Sequence, residues 1–197
     1  MTGNDPTGSK FGMWIFLYSE ILLFTGLFVL FAAYFREYHA DFMRAGKELN
    51  LYFGAANTVV LLTSSFTVAA SITAVRIGQR GRALAFLLTS IVLGGVFLVN
   101  KYFEWGHKIH HGIYPNSPAL LSGPPGEAMF FSLYFVITGL HGLHIIIGMT
   151  LLAVSAVLLA KGRIRPGCDG MLENSGLYWH LVDLIWIFIF PLLYLIL

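Results

Sequence analysis

Charge is what this chain has least of. Only 11% of its 197 residues are Asp, Glu, Lys or Arg, whereas 57% are hydrophobic. A soluble domain carries about 25% charged residues, so there are too few here to cover a globule in water. The mean hydropathy of +0.75 agrees. Net charge is only +2, too small to suggest a nucleic-acid-binding surface. A single cysteine, Cys168, excludes an internal disulfide. There is no Gly-x-Gly-x-x-Gly loop, no Cys pair and no Ser-His-Asp arrangement in a telling context. Solenoid-period repeats and low-complexity tracts are absent too. No cleavable leader is apparent, because the polar residues 1–10 run into an apolar stretch long enough to be a full span.

What is present is long apolar runs. Residues 11–35, 51–75, 83–104, 128–160 and 177–197 are each long enough to cross about 30 Å of hydrocarbon. The expected fold is all-α: a polytopic membrane protein, a bundle of five transmembrane helices forming one domain over residues 1–197. Between the spans, residues 36–50 read as a loop of balanced charge. Residues 76–82 form a tight basic turn, 105–127 a long Pro/Gly-rich loop with His107, His110 and His111, and 161–165 a second basic loop. The fourth run, about 33 residues, exceeds the bilayer and must tilt or protrude.

Odd-numbered spans put the termini on opposite faces. One face collects Lys10, Arg76, Arg80, Arg82, Lys161, Arg163 and Arg165. The other has Arg36, Arg44, Lys47, Lys101 and Lys108, partly countered by acids. The basic bias places the N-terminus inside and the C-terminus outside.

The candidate functional residues are the polar ones inside these runs. Glu20 lies near the middle of the first span, where a carboxylate must be protonated, paired or exposed to a wet cleft. The fourth span carries Gly139-Leu-His-Gly-Leu-His144 and Gly148. His141 and His144 share one helix face, and the glycines leave room for close approach. Two histidines supply at most two ligands, short of a stable metal site. The second span holds Asn57 and seven Ser or Thr residues, which suits a helix packed among others. In the fifth, His180, Asp183 and Trp186 follow at three-residue steps, and His180 and Asp183 can pair. Trp14, Trp179 and Trp186 are candidate interface anchors, with packing between helices the alternative for Trp179 and Trp186.

Taken together in this order, these segments resemble subunit III of the haem–copper respiratory oxidases. The resemblance rests on Ser19-Glu20 in the first span and on the Asn57–Ser65 stretch. It rests also on Phe103-Glu104-Trp105, the Gly-x-His-Gly-x-His segment with Gly148, and Glu173 with Tyr178-Trp179-His180, Asp183 and Trp186. Two features depart from the usual pattern. Many members have seven spans, whereas this chain resembles the short bacterial forms with five. Lys101 stands where Gln is usual, three residues before Glu104.

The resemblance implies an accessory subunit of a proton-pumping cytochrome c oxidase, with no catalytic centre, haem, copper or other metal of its own. Haem and copper would sit in the partner, catalytic subunit I. It also implies bound phospholipid, support of proton uptake and sustained oxygen reduction, further oxidase subunits as partners, and a bacterial inner-membrane location. Glu20, Glu104, His141, His144, Glu173, His180 and Asp183 would line a lipid cleft or brace its walls. The related alternatives are the equivalent subunit of a quinol oxidase or nitric oxide reductase. Alternatives of another class are a stand-alone transporter using Glu20 and Asp183 as proton carriers, or a metal-binding protein built on the seven histidines.

Overall fold

In a computed structural model describing residues 6–195, five long helices carry the chain back and forth. They are α1 (Pro6–Glu37), α3 (Leu51–Arg76), α4 (Arg80–His110), α6 (Pro125–Ala160) and α7 (Gly170–Phe190). Two short helices, α2 (His39–Gly46) and α5 (Pro118–Leu121), lie in the connections. A π-helical turn, Pro191–Leu195, continues α7. All five spans are apolar and long enough to cross a membrane, and the fold is all-α as expected. Residues 1–5 of the expected polar tail, and 196–197 of the expected fifth span, lie outside the described residues.

Every span is longer than its apolar core, and this corrects several boundaries. Helix α4 runs on to His110, so His107, Lys108 and His110 are helical rather than part of a loop. Lys108 explains the extension: its ammonium sits over the rings of Phe131 and Tyr134 at 5.2 and 5.7 Å. A cation laid on aromatic faces gains enough to keep a charged turn packed. Helix α7 starts at Gly170, which places Glu173 in its first turn and His180 and Asp183 well inside it. It loses regularity at Pro191, whose missing N–H cannot continue the helical ladder.

The segment 36–50 is not a simple loop. Phe42 and Ala45 of α2, with Leu49 just beyond, are buried at helical spacing among balanced charges that masked the pattern. The Phe42 ring meets Phe31 and Phe130 edge-on, at 5.3 and 5.4 Å. This is also how the long α6 is accommodated. Its N-terminal end extends past the apolar layer and is covered by α2, where Asp41 Oδ2 accepts a 3.2 Å bond from the Gly126 backbone N–H. Gly126 is required there, since a Cβ would lie 2.5 Å from that of Asp41.

Helix α3 packs along α4. Helix α7 packs on α3 and α6, and α6 on α4. Helix α1 lies at the edge, against α6 and α7. Ser and Thr residues join α3 to α4: Thr67 Oγ1 and Ser90 Oγ are 2.6 Å apart, and Ser64 Oγ donates to the Ser90 carbonyl at 3.2 Å. Trp179 fills the α4–α6–α7 junction. A Cβ on Gly148 would come within 2.7 Å of its ring, and one on Gly94 within 2.9 Å. Gly139 makes similar room for Trp105, whereas Gly142 has only Leu98 near it, at 4.0 Å. The close approaches at Gly139 and Gly148 are therefore to aromatic side chains rather than to another backbone.

Candidate functional site: paired charges between the spans

Glu20 on α1 meets His144 on α6, with Oε2 2.7 Å from Nε2. The other ring nitrogen, Nδ1, lies 2.7 Å from the Leu140 carbonyl oxygen. That carbonyl can only accept, so Nδ1 carries a proton. The Glu20 contact then holds one further proton. On the nitrogen it makes an imidazolium–carboxylate pair; on the oxygen it makes a neutral acid and a neutral imidazole. Either way the pair carries no net charge, and its proton can move between two atoms without leaving the site. Phe24 closes one side, its ring edge-on to His144 at 5.3 Å. The Glu20 side chain keeps 14% of its surface exposed beside α1, against 8% for His144.

The other expected residues are distributed rather than gathered here. His141 is fully buried one turn away, its ring 5.2 Å from Trp186 and 5.5 Å from Phe97, with neither nitrogen hydrogen-bonded. Glu173 is at one end of the bundle, 2.7 Å from Lys10 Nζ and paired with Arg76. Arg76 also holds Asp169 at 3.1 Å. His180 turns Nδ1 to Ser65 Oγ at 2.6 Å rather than to Asp183, which is buried with Oδ1 unpartnered. Trp14 is 60% exposed on the outer face of α1. Trp179 and Trp186 are buried between the helices of the bundle. Their indole N–H groups donate to Ser64 Oγ at 3.1 Å and Thr58 Oγ1 at 3.0 Å, so the hydroxyls of α3 remove the need for the indoles to reach water.

Glu104 belongs to a second centre that the order of motifs did not reveal. Lys101 Nζ donates to Glu104 Oε2 at 3.0 Å, to Tyr194 OH at 2.7 Å and, longer, to Tyr134 OH at 3.4 Å. Both phenols donate to Glu104 Oε1, at 2.7 Å from Tyr134 and 2.6 Å from Tyr194. The three ammonium protons thus face three oxygens, and the ammonium also lies 5.1 Å from the Trp186 ring. Lys101 and Glu104 are 93% and 95% buried. Their three-residue spacing on one helix face was the available signal. The partners from α6 and the π-helical turn at the chain's end were not readable locally.

Among the described residues no group of three or more His, Cys, Asp or Glu side chains is placed to hold a metal ion. The His107 and His111 rings lie 4.4 Å apart, tilted by 50°, on the surface. What the buried pairs can do chemically is retain and relocate a proton, or offer a neutral hydrogen-bonding face inside an apolar layer.

Residues 3–196 match the family described as cytochrome c oxidase subunit III. The cytochrome c oxidase subunit 3 of Thermostichus vulcanus is 33% identical, the alignment covering 98% of this chain and 90% of that protein. Its counterpart from Allomyces macrogynus is 32% identical over 95% of this chain, which spans 66% of the relative's length. The cytochrome bo(3) ubiquinol oxidase subunit 3 of Pseudomonas aeruginosa is 29% identical over 98% of this chain and 87% of its own. With nearly every residue inside the match and five membrane-crossing helices in the fold, the chain belongs to the cytochrome c oxidase subunit III family.

Proposed function

We propose that this chain is the accessory, non-redox subunit of a proton-pumping cytochrome c oxidase of a bacterial inner membrane. It packs on the catalytic subunit, which carries the haem and copper, and acts as one membrane-embedded unit. Its own task is to hold phospholipid beside α1 and to support proton uptake and sustained oxygen reduction. The observation that carries this reading is the Glu20–His144 pair: part-exposed at mid-span, and sharing one proton at 2.7 Å. A lipid lying along α1 has apolar surface for its chains in the exposed Phe16, Ile21 and Leu23. The pair offers hydrogen bonding without a net charge that the bilayer would penalise. The concentration of basic residues in the turns of one end supports an inside N-terminus.

A quinol oxidase is the second reading, favoured by the Pseudomonas relative and by a Bacillus subtilis quinol oxidase subunit 3 that is 30% identical over 93% of this chain. Purification through a tag on this chain in mild detergent decides, by optical spectrum and by mass spectrometry of co-eluting chains. Haem bands with a large catalytic subunit are expected, and that subunit's donor site separates the two oxidases. A folded, colourless chain alone overturns both, and proton flux into liposomes from it would point to a transporter. In the assembled complex, Glu20→Ala should shorten the lifetime of turnover without altering the haem spectrum. An unchanged lifetime together with unchanged lipid content would remove the pair's role in holding lipid.

A further inference from the structure

Helix α4 ends on two exposed imidazoles, His107 in its last turn and His111 at its cap. Four residues of helix put them about 40° apart around the axis. Their ring centres are 4.4 Å apart, with the planes tilted by 50°. The Nδ1 of His111 lies 2.8 Å from the His107 carbonyl oxygen. A carbonyl only accepts, so Nδ1 keeps the proton and Nε2 presents its lone pair. The His107 ring has no hydrogen-bond partner among the described residues and can turn toward that lone pair.

The neighbouring cation points elsewhere. Lys108 stands about 100° round the helix from His107, and its ammonium lies over the Phe131 and Tyr134 rings. What faces the pair is negative. Exposed Glu48 lines the same cleft as His107, and the carbonyl end of a helix carries a partial negative charge. Ions in water can reach this level. His107 lies 27 residues beyond Arg80, about 40 Å along the helix, close to the full thickness of a bilayer with its headgroups, about 40–45 Å.

The spacing of the rings selects a coordination geometry. Metal–imidazole bonds are about 2.0 Å long and each ring centre lies about 1.15 Å behind its nitrogen, so two bonds at about 90° set the ring centres about 4.5 Å apart, whereas a tetrahedral angle sets them about 5.2 Å apart. The observed 4.4 Å is the spacing of two cis positions on a tetragonal ion. Among the described residues no third His, Cys, Asp or Glu joins the pair, so two ligands leave the ion open to water and to exchange.

We infer that His107 and His111 form a two-imidazole clip for an exchangeable divalent transition ion of tetragonal preference, Cu2+ above Zn2+, with water in the remaining positions. The clip is built on α4 alone and stands whichever complex holds the chain.

The test is calorimetric titration of the detergent-purified complex with CuCl2, using a tag free of histidine. Paramagnetic resonance spectra are recorded before and after the addition. The wild type should take up one Cu2+ that the His107→Gln, His111→Gln double variant does not. The added signal should be axial, with hyperfine splitting from two nitrogens. Either single variant should bind that ion at least about tenfold more weakly, because the second ligand no longer acts at a high effective concentration. The single variants, at exposed positions, decide alone if the double variant fails to assemble. His110→Gln, about 60° to the other side of His107, should leave the uptake unchanged. ZnCl2 should bind more weakly, since a tetrahedral angle requires the rings to spread. Equal Cu2+ uptake by wild type and both single variants overturns the inference, and so does a loss shared equally by His110→Gln. Tighter binding of Zn2+ than of Cu2+ overturns the geometry on which it rests.

Discussion

Two carboxylates inside this bundle solve the same problem in opposite ways. Glu20 has one partner, His144 on a neighbouring helix, and keeps part of its surface open beside α1. Glu104 has three, a lysine and two phenols, and is sealed among α4, α6 and the chain's end. The first arrangement is neutral through one movable proton. The second is neutral through a fixed countercharge, with every ammonium proton directed at an oxygen. A part-open pair can exchange with something outside the chain. A saturated, closed cluster serves to lock helices together. The burial of the two helices follows the same division: in their most apolar stretches, 17% of α1 is buried inside the chain against 56% of α7.

The largest effect is expected from breaking the closed cluster on one side only. Glu104→Ala leaves a buried ammonium without its carboxylate and two phenols without their acceptor. It should cost about 3–5 kcal/mol, seen as loss of this chain from the purified complex or a steep fall in thermal stability. The double change Lys101→Met with Glu104→Gln removes both charges together and should recover most of that loss. Failure to recover would mean that the phenols, rather than the ion pair, dominate. Next in size is Gly148→Ala. Its new Cβ would lie 2.7 Å from the Trp179 ring, and overpacking of this kind costs about 1–3 kcal/mol. A melting temperature equal to wild type would show that Trp179 can turn away.

The open pair should respond more gently. Glu20→Gln still offers an N–H to His144 Nε2 and should hold its stability within about 1 kcal/mol of wild type. Glu20→Leu strands that nitrogen and should lose about 1–3 kcal/mol. Equal effects of Gln and Leu in denaturation would remove the hydrogen bond from the account. The smallest effect belongs to the exposed network of Lys10, Arg76, Asp169 and Glu173. Arg76→Gln should change stability slightly at low salt and not at all at high salt, because surface pairs are screened. A salt-independent loss would show that the network orients α7.

Much of the fold could be read directly from residue order. Five spans follow from length and hydropathy, since the bilayer admits few other structures for such runs. Glu20 and His144 were legible as polar groups in apolar surroundings. Their contact was not, because 124 residues separate them and only the packing of α1 on α6 brings them together. Helix α2 was hidden because its buried Phe42 and Ala45 lie among Arg36, Glu37, Asp41, Arg44 and Lys47, and average hydropathy sees only the charge. Trp179 and Trp186 could be read either as interface anchors or as packed between helices, because an indole usually seeks water. Hydroxyls on α3, remote in the chain, satisfied them inside instead.

The sequence by itself determined the class of solvent, the number of crossings and which residues would need partners, because the cost of a polar group in hydrocarbon is a local property. Only the tertiary structure decided who the partners are. Tyr194 reaches Glu104 from 90 residues away, after Pro191 has widened the last turn, and Lys101 completes that cluster. Satisfaction of a buried charge is a property of several helices at once, and no window along one helix contains it.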